Sequence, residues 1–162
     1  MAASTDPVRN GIFTNVGTTT SDNAALGTLG EFVSATVPVG SAVSLTTATT
    51  ANMTSIVLTA GDWDLNVQVN FNVTGGTVTD VRMGPSPTSA TLATQPAQGV
   101  VGTDALVISP LGLAGATGVY TLGNIDVRVS TASTVTIYAT AQANFTVGTV
   151  SVYGTIRARR VR

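Results

Sequence analysis

Between Asp62 and Val73 the chain alternates polar and apolar side chains at every step. The odd positions are apolar: Trp63, Leu65, Val67, Val69, Phe71 and Val73. The even positions are polar: Asp64, Asn66, Gln68, Asn70 and Asn72. A helix would scatter both sets around its circumference, whereas a strand places them on opposite faces. The segment therefore predicts a long β-strand with one buried face.

The C-terminal third repeats this pattern in two segments. Apolar side chains again take the odd positions of the first: Val135, Ile137, Ala139, Ala141, Ala143, Phe145 and Val147. In the second, an apolar set predicted to be buried opposes a polar set predicted to be exposed. The buried set is Val150, Val152, Ile156 and Ala158, and the exposed set is Tyr153, Thr155, Arg157 and Arg159. Two more strands are therefore predicted, with a turn at Gly148.

Glycine and proline mark the predicted connections. Gly75-Gly76 predicts a hairpin turn after the first long strand. Residues 84–102, with three prolines, predict a long loop. The apolar parity switches beside Gly123-Asn124, which indicates a β-bulge or a corner.

Short alternating strands with no helical segment indicate an all-β fold. Long connections between some strands favour a Greek-key arrangement over a meander. We therefore predict an antiparallel jelly-roll sandwich over residues 29–162, preceded by an extended N-terminal arm over residues 1–28. The arm is polar and has no sustained period.

The composition excludes several kinds of chemistry. The chain has no His and no Cys, and its seven basic residues are all Arg. A Ser-His-Asp triad, a Cys-His pair, a lysine Schiff base and Cys- or His-ligated metal sites cannot be built from it. We therefore predict that the protein is not an enzyme and has no cofactor.

Asp62 and Asp64 form the one carboxylate pair worth weighing. Two such groups on one strand face can serve glycoside hydrolysis, or bind calcium with further oxygen ligands. They can also be a solvated strand start, which is the interpretation that we prefer, so no metal site is predicted.

Only 9% of the residues are charged, which leaves little charge to keep a bare surface soluble. A surface rich in Thr, Ser, Asn and Gly suits contacts between subunits, and we predict self-association. Met1 to Asn10 has no apolar region of a secretory signal, and no run of eighteen apolar residues exists. We therefore expect no membrane partner.

Both termini carry candidate partner-binding residues. In the arm these are Ile12 and Phe13, which we expect to anchor in the surface of another chain. In the tail they are Arg157, Arg159, Arg160 and Arg162. A basic tail can bind nucleic acid, but the net charge of −1 and the absence of an aromatic platform argue against it. An acidic protein surface fits better, and a solvated terminal strand is the alternative.

Two family resemblances follow from these segments. Ala60-Gly61-Asp62-Trp63-Asp64, at the start of the long strand, resembles the Gly-aromatic strand start of the C1q/TNF-like jelly roll, and residues 145–162 resemble its closing strands. AGDWD with VNFNV, together with the terminal SVYGTIRARRVR, resembles small structural proteins of tailed bacteriophages. Neither family brings a catalytic residue.

The resemblance implies a virion component made in the cytoplasm of a bacterial host. We expect a capsid decoration or cement protein that acts as a homotrimer and binds the major capsid protein or other virion proteins. The alternative is the head domain of a fibre or receptor-binding protein, with the loop over residues 84–102 as its recognition surface.

Overall fold

In the described part of the chain, seven antiparallel strands form the fold, which confirms the predicted all-β sandwich. The computed structural model describes residues 23–92 and 107–161. Its strands are β1 (Phe32–Val37), β2 (Val43–Ser44), β3 (Ala51–Leu58), β4 (Gly61–Ser86), β5 (Val107–Thr131), β6 (Val135–Thr146) and β7 (Thr149–Arg160). One 3₁₀ turn, Val39–Ser41, precedes β2. Within the described ranges, no helix is long and apolar enough to cross a membrane.

The strands form one sheet in the order β1-β7-β4-β6-β3, with β2 also paired to β7 and β5 to β4. The first half of β4 pairs with β7, and its second half pairs with β6. β5 follows β4 along both halves. We call the β1, β2, β7 half the front sheet and the β3, β6 half the back sheet; β4 and β5 belong to both. The sheet folds so that β1 lies near β3, which nearly closes a barrel-like sandwich.

The hairpin predicted at Gly75-Gly76 is wrong, because β4 continues through these glycines. They lie where β4 exchanges β7 for β6, beside the tight β6–β7 turn. A Cβ atom on Gly148, in that turn, would lie 2.5 Å from the carbonyl oxygen of Thr74. The glycines therefore allow two backbone segments to approach each other closely, which is one of the reasons for a glycine inside a strand.

The irregularity predicted at Gly123-Asn124 is confirmed as a bulge. Val67 pairs with Ile125 and Val69 pairs with Leu122, so β5 has one extra residue between these pairs. The loop predicted over residues 84–102 starts later, since β4 extends to Ser86. Residues 93–102 of that loop lie outside the described residues.

The core lies between the two sheets, and the predicted parity places it correctly. Of the side chains that the alternating segments point inward, nearly all are buried in one cluster: Trp63, Leu65, Val67, Val69, Phe71, Val73, Ile137, Ala139, Ala141, Ala143, Val150, Val152, Ile156 and Ala158. Val135 and Phe145 are partly buried against that cluster. Val147 is 82% exposed, because it has left the strand for the β6–β7 turn.

Replacing Phe71, which is fully buried, with Ala should lower the free energy of unfolding by about 3 to 5 kcal/mol, since the ring leaves a cavity that the sheets cannot close. Urea denaturation followed by Trp63 fluorescence measures the change. Val57→Ala, on an exposed position of β3, is the control and should change stability by less than about 1 kcal/mol. Equal losses in both variants would contradict the assigned core.

Candidate interaction surface

The structure separates the predicted partner-binding residues into three groups. Arg157 and Arg159 are exposed on the outer face of β7. Arg160 is buried at the end of the same strand. Ile12, Phe13 and Arg162 lie outside the described residues.

Arg160 is held by contacts inside the fold. Its Nε donates to Glu31 Oε2 at 3.0 Å, and each of these two side chains is 5% exposed. Its Nη1 donates to the Ala60 carbonyl at 2.6 Å, and its Nη2 donates to the Thr59 hydroxyl. The guanidinium lies over the Trp63 ring, 4.3 Å from the ring centroid. Arg160 is therefore a structural residue, and its side chain is not on the surface of the sandwich.

The same pair ties the residues before β1 to the C-terminal strand. Glu31 Oε2 also accepts a hydrogen bond from the Gly27 amide at 2.8 Å. The backbones of Glu31 and Arg160 are joined as well, and the Gly30 amide donates to the Arg160 carbonyl at 3.0 Å. We call this set of contacts the Glu31–Arg160 latch. Residues 23–28, assigned from the sequence to the arm, thus include a segment bonded to the sandwich.

Asp62 and Asp64 have different environments. Asp62 is only 4% exposed and accepts a hydrogen bond from Arg128 Nη2 at 3.0 Å. Asp64 is exposed. The expected solvated pair is therefore wrong for Asp62, because Arg128, 66 residues away, reaches it across the sheet. Within the described part of the chain, no three acidic side chains are grouped to hold a metal ion.

The outer face of the front sheet carries uncharged polar side chains over most of its length. The predicted row Asn66, Gln68, Asn70 and Asn72 lies on β4, beside Thr155 and Tyr153 of β7. Asn70 accepts a hydrogen bond from the Thr121 hydroxyl at 2.7 Å, and the hydroxyls of Thr36 and Thr155 lie 3.2 Å apart. Amides and hydroxyls can both donate and accept, so this face offers hydrogen bonds in either sense.

At one end of this face lies a groove of about 290 Å³. Phe32 of β1 lines one side, Asp64 and Asn66 of β4 line the other, and Arg157 and Arg159 of β7 lie between them. Arg157 Nε donates to Asn66 Oδ1 at 3.2 Å. The groove therefore combines two exposed cations, one exposed carboxylate and one partly exposed aromatic ring.

The first described residues of the long loop are tied to the back sheet. Asn52 of β3 donates to the Ser89 hydroxyl and accepts from the Ala90 amide, each at 2.7 Å. These two bonds position the start of the loop beside β3.

Comparisons of the chain with protein-family models, with curated proteins and with solved structures found no significant match.

Sequence reasoning missed the latch, although half of its signal was present. The alternation along β7 places Ile156 and Ala158 inward. Continued to the next inward position, it places Arg160 inward too. No comparable signal marked Glu31, because its partner lies 129 residues away.

Replacing Glu31 with Gln should lower the free energy of unfolding by about 3 to 5 kcal/mol, since Arg160 would stay buried without its carboxylate. Chemical denaturation of the full chain measures this. The control is Arg82→Gln, which breaks the Asp80–Arg82 pair at its more exposed member. Asp80 keeps its hydrogen bond from Asn144, so the variant should cost about 1 kcal/mol or less.

The double variant Glu31→Gln with Arg160→Met separates pairing from packing. Its loss of stability should be smaller than the sum of the two single losses, because neither charge is then left buried alone. Additive losses would show that the two side chains do not depend on each other.

Proposed function

We propose that this chain is a non-enzymatic virion protein of a tailed phage, a capsid decoration or cement protein that acts as a homotrimer. It works by binding alone: subunits associate with one another and with the major capsid protein or other virion proteins. The phage assignment rests on the resemblance of AGDWD, VNFNV and the C-terminal segment. The all-β sandwich is compatible with it.

The observation that carries the assembly role is the uncharged stretch of the front face, beyond the groove that Asp64, Arg157 and Arg159 line. Its central row has amide side chains from Asn66 to Asn72, with hydroxyl-bearing neighbours on β7 and β5. Bringing such side chains together needs no desolvation of ions, which is the main cost of burying charged surfaces. A symmetric assembly can then satisfy one copy's donors with another copy's acceptors.

The face suits this role better than the free edge of β5. Among the described strands β5 pairs with β4 alone, so its other edge has no strand beside it. However, β5 contains Pro110 and several register shifts against β4. Proline and bulges interrupt the regular backbone pairing that an added strand needs. We therefore assign self-association to the front face.

A fibre or receptor-binding head domain is the second candidate. The bonds from Asn52 to Ser89 and Ala90 support it, because they hold the entrance of the long loop at a defined place on the sandwich. Copy number separates the two candidates: a decoration protein should approach the copy number of the major capsid protein, and a fibre should be far rarer. Quantitative mass spectrometry of purified virions measures it.

The purified chain should be a trimer at micromolar concentration, and Gln68→Glu should shift it toward monomers. Gln68 is exposed in the middle of the front face, so the variant would bring like charges together around the symmetry axis. Ser55→Glu adds the same charge to an exposed position of β3 in the back sheet and should leave the trimer intact. Light scattering with native mass spectrometry reports the mass; a monomeric wild type would contradict the assembly proposal.

Deleting residues 2–22 should leave the sandwich folded and weaken its attachment to the particle. The deletion keeps Gly27, Gly30 and Glu31, so the latch is preserved, while Ile12 and Phe13 are lost. Co-sedimentation with particles that lack the protein compares the truncated and full chains. Equal binding would show that the arm is not the anchor, and would direct attention to Arg157 and Arg159.

A further inference from the structure

The arginines of the described residues divide into paired and unpaired groups. Arg82, Arg128 and Arg160 each form an ion pair with a carboxylate of the same chain. Arg157 and Arg159 form no ion pair within residues 23–92 and 107–161, and both line the groove beside Phe32. In the part of the chain that the structure describes, the arginines without an ion pair are thus concentrated at one place.

The spacing of the two guanidiniums suits an extended ligand. Arg157 and Arg159 are two residues apart on β7, so their Cα atoms lie about 7 Å apart on the same face. An extended peptide presents alternate side chains at the same interval. Two carboxylates separated by one residue would therefore each meet one guanidinium, and Arg binds carboxylates through paired N–H donors.

We infer that this groove binds an extended acidic peptide segment of a partner protein, with two carboxylates on Arg157 and Arg159 and apolar contact against Phe32. This inference rests on the proposed function, in which the chain acts by binding other proteins. It identifies the groove as the contact site and carboxylate side chains as what is recognised.

The exposed Asp64 limits how many anionic groups a ligand of the groove can carry, and this argues against nucleic acid. Asp64 lies beside Arg159 on the neighbouring strand β4. Its carboxylate would therefore repel any further anionic group of a ligand on that side of the groove. A phosphate backbone carries a charge at every nucleotide and gains affinity from many cations, whereas a peptide can limit its charges to two positions. Phe32 is also the one aromatic side chain lining the groove within the described residues, which falls short of a stacking platform.

The test is a titration of the isotope-labelled full chain with the capped pentapeptide Gly-Glu-Leu-Glu-Gly, followed by NMR chemical shifts. Shifts should be largest at residues 157–159 and around Phe32. Arg157→Gln with Arg159→Gln should weaken binding roughly tenfold or more, as expected for two lost charge-assisted contacts. Asp64→Asn should strengthen binding roughly threefold, because a repelling carboxylate is removed.

Arg82→Gln is the matched control, since it removes an arginine that Asp80 already neutralises on β4. It should leave the affinity unchanged. The same spectra show whether each variant is folded, so a loss of binding is not confused with unfolding. A peptide with Gln in place of both Glu residues should not bind.

Three results would overturn the inference: no saturable shift at millimolar peptide, equal binding of the Gln peptide, or binding of an oligothymidylate with none of the acidic peptide. Light scattering on the same samples keeps this result separate from the proposed function. If the protein is a trimer that does not bind the peptide, only the inference about the groove is refuted. If it is a monomer that binds the peptide, only the proposed trimer is refuted.

Discussion

The register of β4 is the constraint on which the rest of the structure depends. This strand of 26 residues is hydrogen-bonded to β5, β6 and β7, so it is a member of both sheets. Its inward side chains, from Trp63 to Met83, are fully buried or nearly so. A slip of one residue in the register would turn these apolar side chains outward and bury Asn and Gln side chains in the core. Strict alternation over residues 62–73 therefore fixes the pairing of this half of β4 with both β5 and β7.

The alternation predicted which side chains face inward, and it failed where a contact with a distant segment decided the outcome. Gly75-Gly76 has the local form of a turn, but the approach of the Gly148 backbone makes it a continuing strand. Asp62 has the local form of a solvated strand start, but Arg128 pairs with it. Local patterns specify the face of a strand, whereas these outcomes depend on which strand lies beside it.

The arginine tail shows the same difference between a local sequence pattern and its place in the sheet, within residues 157–160. As a sequence feature it is one basic cluster, and clustering predicts a single shared role. The period of a strand instead divides it: Arg157 and Arg159 face outward, and Arg160 faces the core beside Trp63. Clustering in the sequence does not separate these residues, and only the strand parity distinguishes the two exposed arginines from the buried one that pairs with Glu31.

The buried and the exposed arginines of β7 are physically connected. The Glu31–Arg160 latch fixes the end of β7 against the residues before β1, and the pairing with β1 and β4 fixes both of its edges. Arg159 directly precedes Arg160 in this strand, so the backbone that presents it has little freedom left to lose on binding. Because ordering a flexible segment is a main cost of association, a groove built on a strand held on both sides and at its end can bind with only its side chains to order. The buried Glu31–Arg160 pair thus also restrains the backbone that carries Arg157 and Arg159.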